Sequence, residues 1–180
     1  MIFTETDLNG AYLIDVEKIT DDRGFFGRLW CKDQFEKYNL NTNLVQSNVS
    51  MSIKKGTLRG MHYQKHPYQE TKLVRCTQGA IYDVIVDLRP DSPTFKKWFG
   101  IELTAKNHRM LYVPENFAHG FLTLEDNSEV YYLVTQFYNK EAEGGLRYND
   151  PAFQISWPNE IMEISNKDAT HKNFDIKNSL

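Results

Sequence analysis

The stretch Lys72-Leu73-Val74-Arg75-Cys76-Thr77-Gln78-Gly79-Ala80-Ile81-Tyr82-Asp83-Val84-Ile85-Val86-Asp87-Leu88 decides the architecture. Residues 72–75 and 80–88 have the β-branched and aromatic content of strands, and Thr77-Gln78-Gly79 supplies a tight connection between them. Side chains in a strand alternate between its two faces. Ile81, Asp83, Ile85 and Asp87 therefore share one face of the second strand, and Tyr82, Val84, Val86 and Leu88 share the other. The turn residues Arg89-Pro90-Asp91-Ser92-Pro93 end this pattern.

Working outward, further strands are expected at residues 99–103, 110–113, 120–124 and 130–138, with polar turns at 104–108, 114–116 and 125–128. Strands recurring at roughly 8–12 residues are the mark of a sandwich or barrel. The 13% content of Phe, Trp and Tyr points the same way. Helical signals are limited to residues 32–38 and a short segment within 159–168. No internal repeat, low-complexity segment or linker is visible, and the last dozen residues are expected to be poorly ordered.

The 180 residues have room for one domain of ordinary size, and the 41% hydrophobic and 25% charged content is that of a globular chain able to bury its core without staples. Lys and Arg number 21 against 24 Asp and Glu, a net charge of −3 with no basic run, so nucleic acid is not an expected partner. No apolar run approaches the ~20 residues of a membrane span. The opening residues, leading straight into Glu5 and Asp7, do not read as a signal peptide, and two cysteines, Cys31 and Cys76, fit a reducing compartment. A cytoplasmic location is the expectation.

The chemistry begins at Gly56-Thr57-Leu58-Arg59-Gly60-Met61-His62-Tyr63-Gln64. As a strand, it places Leu58, Gly60, His62 and Gln64 on one face, so an imidazole and a carboxamide project together. A hydrogen-bonded core histidine is the bland reading of His62 taken alone. A second segment, Val113-Pro114-Glu115-Asn116-Phe117-Ala118-His119-Gly120-Phe121, adds another histidine after a turn.

Together the two segments resemble the paired motifs of a cupin jelly roll, an all-β barrel of two antiparallel sheets whose inward residues line a cavity. Metal-binding cupins carry two histidines one residue apart and a carboxylate in the first motif. Here Gln64 replaces the second histidine, Glu70 is the available carboxylate, and Asn116 stands where a glycine is expected. A carboxamide is a poor transition-metal ligand, which disfavours a metal at His62, Gln64, Glu70 and His119. A free imidazole, with an ordinary pKa near ~6.5, suits a general base instead.

More of the chain carries a specific resemblance. Asp22-Arg23-Gly24-Phe25-Phe26, Leu58 to Gln64, Lys72-Leu73-Val74-Arg75, Asp83 to Arg89, Ser92-Pro93-Thr94-Phe95, Pro114 to Phe121, Asp150-Pro151 and Trp157-Pro158 to Lys167-Asp168 stand in order. They resemble the dTDP-4-dehydrorhamnose 3,5-epimerase family of cupin-fold sugar-nucleotide epimerases. The resemblance implies an isomerase acting on a nucleotide-linked 4-keto-6-deoxy-hexose. The ketone at C4 acidifies the hydrogens at C3 and C5; a base removes one, an acid returns a proton to the opposite face, and no redox cofactor or metal is needed. Relatives inverting C3 alone or using other nucleotides share much of this frame. A metal-dependent cupin and a non-catalytic sugar-binding cupin are the competing classes.

Residue by residue, the resemblance implies His62 as base, Asp168 as the carboxylate that orients it, Lys72 as the cation near the C4 oxygen, and Tyr132 as proton donor. Outside that frame Lys72 reads as a strand lysine and Tyr132 as a core aromatic. Arg23 and Arg59 match contacts to the diphosphate, a role suited to guanidinium groups. Gln46 and Asn48 match polar ligand contacts, followed by a loop slightly longer than the family's. His119 matches a sugar contact with Asp83 as partner, Tyr138 the aromatic that stacks on the base with Phe26 enclosing it, and Glu143 and Lys167 further contacts. Gly27-Arg28 puts a positive charge where the family usually has an acid, which raises either a changed substrate contact or a solvent-exposed exchange. The whole chain 1–180 is expected to be one epimerase domain, with an arm at about 1–30 that reaches a partner in a homodimer and a tail at about 159–180.

Overall fold

The computed structural model describes residues 1–175. In chain order it contains β1 (Ile2–Glu5), β2 (Tyr12–Asp15), β3 (Ile19–Asp21), β4 (Gly24–Phe26), α1 (Lys32–Glu36), β5 (Gln46–Ser52), β6 (Thr57–Gln64), β7 (Lys72–Gln78), β8 (Ala80–Asp87), β9 (Trp98–Thr104), β10 (Met110–Val113), β11 (Phe117–Thr123), β12 (Ser128–Val134), β13 (Glu143–Gly145), β14 (Glu163–Ile164) and α2 (Asn166–Ala169). One antiparallel sheet runs β1-β2-β10-β7-β12-β5; the other runs β13-β6-β11-β8-β9, with β14 joining β6 in parallel. The fold is the all-β cupin jelly roll, and β7 and β8 are divided between its two sheets.

Alternation along these strands builds the core. Val74 and Cys76 of β7, Leu111 and Val113 of β10 and Val130 of β12 meet Ile81 and Ile85 of β8, Leu103 of β9 and Phe117 and Phe121 of β11 between the sheets. Each fully buried aliphatic side chain there contributes about 1.5–3 kcal/mol. The other face of β8, with Val84 and Val86, and Leu88 just after the strand pack under Met61, Tyr63, Leu146, Phe153 and Phe174, so the C-terminal part of the chain covers the second sheet. Phe35 of α1 covers the outer face of the first sheet beside Leu73, Met110 and Tyr112.

The observed elements differ from the sequence expectation in several places. The strand expected at 120–124 begins at Phe117, because residues from Phe117 onward pair with β8. The strand expected at 130–138 ends at Val134, beyond which Gln46 and Gln64 hold the chain through the backbone N–H groups of Tyr138 and Asn139. The helix within 159–168 contracts to α2, because Glu163 and Ile164 are taken up as a strand beside β6. The arm, read without strands, forms β1 and β2 in the first sheet and a separate hairpin, β3–β4. The tail is also better ordered up to residue 175 than expected, since Phe174 packs against Phe95 and Phe153 and its N–H donates to Asp150. Residues 176–180 of that segment lie outside the described residues.

A bulge alters the expected face of β6. His119 of β11 sits opposite His62 and Phe121 opposite Arg59, so Gly60 and Met61 together face the single residue Gly120. The extra residue moves Arg59 onto the inward face with His62 and Gln64, correcting the simple alternation through Leu58 and Gly60. Gly60 adopts φ +121°, and a Cβ there would stand 2.6 Å from the Gly120 Cα. Gly60→Ala is expected to destabilise the protein by about 2–5 kcal/mol, combining backbone strain with overpacking; urea unfolding measures it, and an unchanged midpoint refutes the account. No described helix is long and apolar enough to cross a membrane.

Candidate active site

A cavity of about 660 Å³ opens between the sheets, lined by Ser50, Ser52, Arg59, His62, Lys72, His119, Phe121, Tyr132, Lys167 and Asp168 among others. Inward positions of β5, β6, β7, β11 and β12 supply the walls, and α2 brings Asp168 in from the far end of the chain. Ser165 caps α2, its Oγ accepting from the Asp168 N–H, which fixes the carboxylate's approach.

His62 Nε2 lies 2.7 Å from Asp168 Oδ1, and the Gly60 N–H donates to Asp168 Oδ2 at 3.2 Å. Burial alone pushes the Asp168 carboxyl upward, but the hydrogen bond and charge of His62, the Gly60 N–H and His171 outweigh it and hold the group below its ordinary pKa. An anionic Asp168 keeps the His62 proton on Nε2 and leaves Nδ1 as the basic nitrogen. Because the folded-state pKa is depressed, this carboxylate's contribution to stability is present above the unfolded value near ~3.9 and is lost as pH falls through the lower folded value. Asp168→Asn is accordingly expected to flatten the acid limb of a thermal-stability profile below about pH 4; an identical acid limb in the variant contradicts it.

Lys72 Nζ stands 3.1 Å from Glu70 Oε1, both side chains largely withdrawn from solvent. Burial, then the charge of Glu70, pushes the Tyr132 hydroxyl above its ordinary pKa, with Arg59 opposing. Tyr132 is thus held in its protonated, proton-donating form. His119 Nε2 lies 2.8 Å from the fully buried Asp83 Oδ1, the pairing expected from their inward positions. Arg59 is fixed at the rim, donating to Ser52 Oγ at 3.0 Å and to the Met51 carbonyl at 2.9 Å.

Four more predicted residues form one network, joined to the cavity lining through Lys167. Tyr138, 60% exposed, donates from its hydroxyl to Glu143 Oε2 at 3.2 Å; Lys167 Nζ meets Glu143 Oε1; and Gln46 Oε1 accepts the Tyr138 N–H. Burial would raise the Glu143 carboxyl, but Lys167 and the tyrosine hydroxyl hold it below its ordinary value, and Glu143 in turn raises Lys167. Asn48 lies half-buried on the same face of β5 as Gln46, opposite Tyr132.

Other predicted residues lie outside the cavity of their own chain. Arg23 is bound to Asp21 with its side chain 89% exposed, Phe26 is 67% exposed on the same hairpin, and Arg28 is exposed just beyond it. The residues of the metal-cupin alternative are each tied to other partners. The Gln64 amide donates to the Tyr68 and Phe137 carbonyls and accepts from the Asn139 N–H, Glu70 pairs with Lys72, and His119 pairs with Asp83. Sequence reasoning missed Ser50 and Ser52, although the polar alternation Gln46, Asn48, Ser50, Ser52 announced them, and it missed His171, for which the sequence holds no signal.

This geometry agrees with what the chain resembles. The family model described as dTDP-4-dehydrorhamnose 3,5-epimerase matches residues 5–175. The dTDP-4-dehydrorhamnose 3,5-epimerase of Shigella flexneri is 41% identical over 94% of this chain and 94% of its own length. The crystal structure of the Elizabethkingia anophelis NUHP1 enzyme of that name superposes with a TM-score of 0.94 at 40% identity, covering 97% of this chain and 96% of the other. That of the Bacillus anthracis str. Ames enzyme, described with TDP and PPi bound, superposes with a TM-score of 0.92 at 44% identity, covering 96% and 99%. A family model matched over residues 5–175, together with relatives about 40% identical across nearly the whole chain, places this chain in the dTDP-4-dehydrorhamnose 3,5-epimerase family.

Proposed function

We propose that the chain converts dTDP-4-dehydro-6-deoxy-D-glucose to dTDP-4-dehydro-L-rhamnose by inverting C3 and C5. The observation that carries this reading is the His62–Asp168 pair in one cavity with Lys72 and Tyr132. His62 Nδ1 takes the proton next to the C4 ketone, and the Asp168 carboxylate stabilises the imidazolium that results, as in a triad. Lys72, its charge balanced by Glu70 in a partly dry cavity, stabilises the enolate oxygen. Tyr132 returns a proton to the opposite face of the carbon.

Arg59 and Lys167 place positive charge along the cavity for a diphosphate despite the overall charge of −3. His119, oriented by Asp83, contacts the sugar. Asn48 and Gln46 line the approach, and Tyr138 stacks on the base, steadied by Glu143. The TDP described with the Bacillus anthracis relative supports thymine as that base. The exposed hairpin β3–β4, with Ile19, Phe25 and Phe26 open to solvent, supports a homodimer in which Arg23 and Phe26, followed by Arg28, complete the neighbour's site. The whole chain works as one domain, and its two free cysteines fit a cytoplasmic enzyme.

Incubation with the 4-keto sugar nucleotide in deuterated water tests the reading. Deuterium is expected at both C3 and C5, with accumulation of the inverted product seen by NMR. Exchange at C3 alone assigns a mono-epimerase instead, and failure to exchange at either carbon rejects the chemistry. Comparing the CDP and GDP sugars tests the nucleotide and the meaning of Arg28.

A further inference from the structure

We infer that His62, Asp168 and His171 form a binding site for a zinc-type divalent cation, and that filling it switches the enzyme off by disarming His62. The inhibitory half rests on His62 being the base; the site itself does not. The ligand atoms of the three residues all lie within 4.8 Å of one another. Two imidazoles and a carboxylate are a donor set that zinc favours, with a fourth position left for water.

His171 has a built seat. It follows Asp168 by three residues, just beyond Thr170, the C-cap of α2, and its ring turns back to bring Nε2 beside the Asp168 carboxylate. Its ring lies edge-on to that of His62, with centroids 6.0 Å apart. The space is left by Gly145, which pairs with His62 across β13 and β6; a Cβ on Gly145 would overlap the His171 ring. Phe174, wedged against Phe95 and Phe153, anchors the segment that carries the ring. His171 Nε2 is buried, has no hydrogen-bond partner among the described residues, and stands 3.6 Å from Asp168 Oδ1. Ligand atoms about 2.0–2.1 Å from a tetrahedral zinc ion are about 3.4 Å apart. The His171–Asp168 spacing therefore nearly fits already, while the 2.7 Å contact between His62 and Asp168 must open.

Coordination has a definite consequence for the base. A neutral imidazole carries one N–H, here on Nε2. When the cation takes the Nε2 lone pair, that hydrogen is exchanged through water to Nδ1, with no net release of a proton. Nδ1 then has no lone pair with which to attack a C–H bond. Magnesium and calcium, which prefer oxygen ligands, are expected to leave the enzyme unaffected.

The test is zinc chloride titrated into the metal-free, full-length protein, following heat of binding and turnover in parallel. One zinc ion per chain is expected, with inhibition that EDTA reverses and that magnesium does not reproduce. His171→Ala and His171→Phe, the latter refilling the ring's seat, are expected to bind zinc at least about tenfold more weakly, with zinc inhibition of each variant read against its own metal-free turnover. The wild-type titration stands whether or not a variant folds. Absence of stoichiometric binding, or equal zinc affinity in wild type and folded variants, overturns the site. Binding that depends on His171 but leaves turnover intact overturns the inhibitory half and the assignment of His62 as base, while the site survives.

Discussion

His62→Ala is expected to lower turnover by about 10²–10⁴-fold and to abolish deuterium uptake from solvent at both C3 and C5. Tyr132 remains in the variant but does not accept a proton at neutral pH, because burial and Glu70 hold its phenol protonated; Lys72 stays paired with Glu70 at 3.1 Å. The substitution also leaves the buried Asp168 carboxylate with the Gly60 N–H as its closest remaining donor. A buried anion that loses a partner costs about 1–3 kcal/mol. His62→Gln, which retains a donor for Asp168, therefore separates lost chemistry from lost stability and is expected to be equally inactive with a melting temperature nearer the wild type. Deuterium uptake at the wild-type rate in either variant shows that another group is the base.

Tyr132→Phe is expected to dissociate exchange from epimerisation. The substitution removes one oxygen from a half-buried ring and keeps its shape, and β12 continues to be held by β5 and β7 on either side. His62 still removes the substrate proton, exchanges it with solvent, and returns a deuteron to the face from which the proton came. Label therefore enters the substrate at near the wild-type rate, while inverted product falls by about 10²-fold or more. Mass spectrometry of recovered substrate against NMR of product measures the two separately. Parallel loss of both assigns Tyr132 to binding or to enolate formation, and loss of neither removes it from the mechanism.

Much of the site was legible because a strand's facing residues are two apart. Asp83 was placed inward by its position between Ile81 and Ile85, and His119 meets it from the adjacent strand. His62 and Gln64 share a face as their spacing requires, although Gln64 turns out to hold the turn at 137–139 rather than to face a ligand. The inward position of Arg59 was not legible from alternation. It depends on a bulge that exists only because Gly60 and Gly120 let two backbones approach closely.

The hairpin β3–β4 shows a different limit. Arg23 and Phe26 are ligand contacts by resemblance alone, yet both stand outside their own chain's cavity, a position that strand alternation gives no means of reading.

The stretch 72–88 by itself determined two strands and, for the second, the side each residue faces, Asp83 among them. These are local properties, set by side-chain volume and the two-residue repeat. Only the tertiary structure decided that β7 and β8 fall in opposite sheets, that Asp168 reaches His62 across 106 residues of chain, and that His171 arrives beside them. Bringing such distant residues together costs chain entropy that no local pattern offsets; the packing of Phe174 and the pairing of β14 with β6 supply the compensation.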